Sequence, residues 1–81
     1  MLTIKFFASL RERLSVNELT VDFAANMQVT NLVDQLVAQD NKFMLLQEQD
    51  VLVAVNQTLR GKDHALVDND EVAFFPPVTG G

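Results

Sequence analysis

The sequence has no cysteine, no tryptophan and no tyrosine. Without cysteine there is no disulfide, no thiolate nucleophile and no cysteine-based metal site. Basic residues are scarce: six Lys and Arg stand against eleven Asp and Glu, a formal net charge of −5. Nucleic acid and anionic membrane surfaces both require clustered positive charge, so neither is expected as a partner, and a basic protein partner is favoured instead. No apolar run approaches the roughly 18 residues of a membrane span. The opening Met1-Leu2-Thr3-Ile4-Lys5 lacks a signal-peptide layout. These features predict a cytoplasmic chain, intact at both ends. Glycine is scarce too, with three in all and only Gly61 internal, which excludes a glycine-rich phosphate loop. The other two, Gly80 and Gly81, are the last residues.

What is present is one small domain. The chain has 81 residues and is 48% hydrophobic, and a domain of this size buries only about 60–65% of its unfolded surface. It has room for one core and little for a deep active site. Residues 2–7 alternate, with Leu2, Ile4 and Phe6 on one side and Thr3, Lys5 and Phe7 on the other, the period of a strand with one buried face. Residues 8–14, with Leu10 and Leu14 four apart, read as one or two helical turns. Residues 18–23 alternate again through Leu19, Val21 and Phe23. Val29, Leu32, Val33, Leu36 and Val37 form one helical stripe, although Gln28 is a poor N-cap and predicts a frayed first turn. Residues 41–48 add a short helical piece, and the β-branched run 51–56 predicts a central strand. Residues 57–62 read as a turn containing Gly61, and Asp68-Asn69-Asp70 as a tight turn. The last strand is 71–75, with Val72 and Phe74 inward and Phe75 outward, stopped by Pro76-Pro77. One amphipathic helix on one mixed sheet is an α+β, two-layer domain, here spanning 1–77 with a flexible tail at 78–81.

Few side chains offer chemistry. His64 beside Asp63 has no partner nucleophile and reads as a solvated loop histidine rather than a general base. A single histidine with scattered carboxylates makes no metal site, and Asp68, Asp70 and Glu71 lack the glycine and glutamate placement of a calcium loop. The expectation is no metal and no cofactor bound by this chain.

The tail is different. Val78-Thr79-Gly80-Gly81 follows a rigid Pro-Pro and spans at most about 13–14 Å when extended. Glycines without side chains thread a narrow channel, although fraying is the ordinary fate of chain ends. A terminal carboxylate has an ordinary pKa near 3.5, so at neutral pH it is an anion and a poor electrophile. To accept a nucleophile it must be activated, most directly as an acyl-adenylate. Nothing in this chain binds ATP, so another protein must supply that step.

Val53-Ala54-Val55-Asn56-Gln57, Phe6-Phe7-Ala8 with Arg11-Glu12, and above all the terminal run Phe74-Phe75-Pro76-Pro77-Val78-Thr79-Gly80-Gly81 resemble the small subunits of molybdopterin synthase, a family of ubiquitin-like sulfur carriers. The resemblance extends over essentially the whole chain. It implies a β-grasp fold and a cycle in which an E1-like adenylyltransferase activates the Gly81 carboxylate at the expense of ATP. A sulfur donor system then converts it to a thiocarboxylate, and Val78, Thr79 and Gly80 insert with it into the large synthase subunit. There sulfur passes to cyclic pyranopterin monophosphate to build the dithiolene of molybdopterin. The family also implies a heterotetramer, and makes the chain a sulfur-donating subunit rather than an enzyme on its own. Related alternatives are a thiamin-pathway sulfur carrier, a ubiquitin-like protein modifier and a plain interaction domain with an inert tail. Two departures stand out: the turn before the last strand is often Asp-Gly-Asp in the family and here carries Asn69, and the main helix lacks a Ser or Thr cap.

In a β-grasp sheet the first and last strands are neighbours, which brings Phe7 and Phe75 together on the outward side with Leu59 nearby. These three are the expected partner interface, an exposed apolar patch rimmed by acidic residues. The alternative is that residues 39–49 cover them.

Overall fold

The structure, a computed structural model, describes residues 1–77. The order is β1 (Leu2–Phe6), α1 (Ala8–Leu14), β2 (Glu18–Val21), α2 (Val29–Gln39), a 3₁₀ helix (Asn41–Gln47), β3 (Leu52–Val55), β4 (Thr58–Arg60) and β5 (Glu71–Phe75). The strands form one sheet in the order β2-β1-β5-β3-β4. β1 and β5 run parallel at its centre, and the other three pairings are antiparallel. With α2 packed on one face, this is the β-grasp arrangement, as expected.

The alternating residues of β1 and β5 explain the core. Leu2, Ile4, Val72 and Phe74 are fully buried, and the α2 stripe of Val29, Leu32, Val33 and Leu36 packs on the same side. Phe6 stacks on Phe74 with ring centroids 5.9 Å apart and meets Phe43 of the 3₁₀ helix at 5.8 Å. Residues 41–47 therefore close the inner face of the sheet, burying Phe43 and Leu46.

Two local features depart from expectation. The region read as a turn at 57–62 contains β4, a three-residue edge strand joined to β3 by Asn56-Gln57. Both turn residues have positive φ, 51° and 71°, which is the type I′ geometry that matches the twist of a two-residue hairpin. The start of α2 is also not frayed. The Asn31 side chain accepts a hydrogen bond from the Gln28 N–H at 2.8 Å. The first two N–H groups of the helix, of Val29 and Thr30, donate to the carbonyls of His64 and Lys62 at 3.1 and 2.9 Å, so a distant loop satisfies two of the donors that a helix start leaves without intrahelical partners.

The turn before β5 has the expected form, with Asn69 at φ 73°. Asparagine tolerates this left-handed conformation better than other non-glycine residues. Asp70 is the one charged side chain buried among the described residues. It accepts from Asn56 Nδ2 at 2.8 Å and from the Val67 N–H at 2.9 Å, while Asn56 Oδ1 accepts from the Glu71 N–H at 3.0 Å. The β3–β4 turn is thereby bolted to the start of β5. Asp70→Ala removes the buried acceptor of two part-buried hydrogen bonds and is expected to lower unfolding stability by about 1–2 kcal/mol, read as a lower urea midpoint at unchanged slope. Beside it, the Met1 ammonium hydrogen-bonds Asp68 and holds that carboxyl below its ordinary value. The pair stabilises the fold at neutral pH, and this contribution disappears as pH falls through the lowered pKa. Both groups are exposed, so water screens the effect to a small one.

Candidate functional site

The chain leaves β1 with an unusual step. The register pairs Phe6 with Phe74, and the Phe7 N–H continues the parallel ladder by donating to the Phe74 carbonyl at 3.1 Å. Ala8 then takes φ 52°, a left-handed conformation that costs an L-residue roughly 1–2 kcal/mol. The sharp turn starts α1 while Phe7 is still extended, so its ring stays on the outer face of the sheet. There it meets Phe75 with centroids 5.3 Å apart, tilted at 56°.

Leu59 projects onto the same face from β4, so the structure brings all three residues of the expected patch together. They surround an open depression of about 550 Å³. Its floor is Ala54 and Ala73, which are register partners on β3 and β5. Two methyl groups there leave a hollow that larger side chains would fill. Leu52 completes the apolar border and was not foreseen, because the dense run 51–56 does not reveal which of its residues face outward. Phe7 and Leu59 are 43% and 65% exposed. Residues 41–47 lie on the opposite, core-facing side through Phe43 and Leu46, so they do not cover this face.

The expected acidic rim is not what borders it. The charged residues lining the depression are Lys5 and Glu71, paired at 3.3 Å. They face each other because β1 and β5 are in parallel register two residues apart. The acidic excess of the chain lies elsewhere.

The remaining candidates fall away from this face. His64 sits in the loop after Gly61, where its carbonyl serves the start of α2. Asp68, Asp70 and Glu71 each have a protein partner, and among the described residues no group of three or more His, Asp or Glu is placed to hold a metal ion. No helix among them is long and apolar enough to cross a membrane. Val78, Thr79, Gly80 and Gly81 lie outside the described residues. The described chain ends at Pro77, two residues past Phe75 of the apolar face.

Comparison with known proteins covers the full length. The model of the ThiS family matches residues 4–81. The molybdopterin synthase sulfur carrier subunit of Escherichia coli (strain K12) is 45% identical over 84 residues, covering 100% of this chain and 100% of that protein. Its counterpart in Haemophilus influenzae is 43% identical with the same coverage. Among solved structures, SAMP1 from Haloferax volcanii is similar with a TM-score of 0.81 at 27% identity, covering 99% of this chain and 98% of that one.

Proposed function

The chain belongs to the ThiS family, and from that premise we propose that it is the sulfur-carrier subunit of a molybdopterin synthase. The observation that carries this reading is the end-to-end match, at 45% identity, to a curated subunit of that name. In the proposed cycle the Gly81 carboxylate attacks the α-phosphate of ATP held by an E1-like adenylyltransferase, releasing pyrophosphate. A persulfide sulfur from a donor system displaces AMP, and a thiol reductant then cleaves the acyl disulfide to leave a thiocarboxylate. In the large synthase subunit this sulfur attacks a side-chain carbon of cyclic pyranopterin monophosphate, and the oxygen borne by that carbon leaves as its carbon–oxygen bond breaks. Water then cleaves the acyl–sulfur bond, leaving sulfur on the pterin and a carboxylate on Gly81. Two transfers make the dithiolene, and two small with two large subunits form the heterotetramer.

The residues of this chain have three tasks in that cycle. Phe7, Leu59 and Phe75 dock the domain on its partner, Pro76-Pro77 sets the exit direction, and Val78, Thr79 and Gly80 thread the reactive end into the partner's site. No acid or base is required of this chain. The reading is tested by supplying thiocarboxylated protein, the large subunit and the cyclic precursor without ATP. Molybdopterin should form at one molecule per two carriers consumed. Absence of product from fully loaded carrier contradicts the assignment, and thiazole formation with thiamin-pathway partners supports the thiamin alternative.

The similarity to SAMP1, a small archaeal modifier protein, favours one second reading, transfer of the activated Gly81 to lysines of other proteins. That reading predicts adducts that survive a denaturing gel and vanish when Gly81 is deleted.

A further inference from the structure

β4 presents a feature that the docking face does not use. Among the described residues it is bonded only to β3, which leaves one of its edges open, and Thr58, Leu59 and Arg60 are all exposed. In a hairpin closed by a two-residue turn, the residues flanking the turn bond across it and the next pair does not. Thr58 and Arg60 are thus the residues bonded to β3, and the N–H and C=O of Leu59 point to the open edge.

Beside this edge the two arms of the hairpin part to form a groove of about 330 Å³, lined by Gln49, Val51, Leu52, Leu59, Arg60 and Lys62 among others. Leu52 and Leu59 also border the central depression, so the groove continues the apolar face. Its two cations differ in availability. The Lys62 ammonium donates to the carbonyls of Leu46 and Glu48 at 3.5 and 3.0 Å, where it caps the end of the 3₁₀ helix. Among the described residues the Arg60 guanidinium makes no ion pair and no carboxylate lines the groove. In a chain of net charge −5, an unpaired arginine on an open edge next to exposed leucines is a localised positive site.

We propose that the β3–β4 hairpin takes an extended, carboxylate-bearing segment of the partner protein, which pairs with the Leu59 backbone and places its acid on Arg60. This inference rests on the docking reading above and extends the contact beyond Phe7, Leu59 and Phe75. Strand addition to an open edge supplies affinity through backbone bonds, and a flanking side-chain contact supplies selectivity. Arginine suits the second role because its fork binds a carboxylate through two parallel hydrogen bonds.

The test is the affinity of the full chain for its large synthase subunit, measured for wild type, Arg60→Glu, Arg60→Lys and Phe75→Ala. Arg60 is exposed, so each Arg60 variant should keep the wild-type melting temperature. Arg60→Glu is expected to raise Kd at least about tenfold, with Arg60→Lys intermediate and the salt dependence of wild-type binding reduced in Arg60→Glu. Weakening by Phe75→Ala with no effect of Arg60→Glu overturns the hairpin contact and leaves the apolar docking face standing. No weakening by either variant overturns both. A third outcome, self-association of Arg60→Glu with unchanged partner affinity, overturns the proposal in favour of an arginine that only guards the edge against pairing.

Discussion

Phe75→Ala is expected to raise the dissociation constant for the large subunit roughly 100-fold, equivalent to about 2.7 kcal/mol. The ring packs against Phe7 at 5.3 Å and lines the same depression as Ala54 and Ala73. Aromatic side chains in the middle of an apolar contact, with no charge to desolvate, carry a disproportionate share of binding energy. Lys5 and Glu71 at the margin already neutralise one another, so the central contact is almost entirely apolar burial. The same substitution removes one aromatic pair worth about 0.5–1.5 kcal/mol from the isolated domain. Calorimetric titration at a temperature well below the melting midpoint separates the two effects. The predicted signature is a large loss of affinity with a small loss of stability.

Phe74→Ala, one residue earlier, should do the reverse. Strand alternation turns Phe74 inward, where it is fully buried and stacked on Phe6. Truncating a buried phenylalanine costs about 3–5 kcal/mol through lost transfer energy and the cavity left behind. Small domains are stable by only about 5–15 kcal/mol, so the variant should lose a large share of its stability. Chemical denaturation at low temperature should show the midpoint fall with little change in slope. Adjacent phenylalanines, one for the partner and one for the core, thus separate binding from folding.

That division was legible in the sequence, because period-two alternation assigns Phe6 and Phe74 to one face and Phe7 and Phe75 to the other. The α2 stripe and the proline stop after Phe75 were equally plain. β4 was not legible: its three residues are all exposed and so show no alternation, and Asn56-Gln57 lacks the glycine that usually marks a type I′ turn. The firm start of α2 was hidden for another reason. Its first two donors are satisfied by His64 and Lys62, more than thirty residues away, and its local cap is a Gln28–Asn31 pair rather than the usual Ser or Thr with Glu. The acidic rim was inferred from net charge, a property of the whole chain, whereas the border of the depression depends on which few residues the sheet register brings there. The tail is the converse case, since its reading comes from the residues themselves and from the family to which the chain belongs.

The central claim is that Gly81 carries sulfur. The most direct measurement is the intact mass of the protein after incubation with ATP, an E1-like adenylyltransferase and a persulfide donor. The predicted result is a gain equal to replacing one oxygen by sulfur, dependent on ATP and lost when Gly81 is deleted. An unchanged wild-type mass with an adenylyltransferase and donor that load a known carrier would contradict the account.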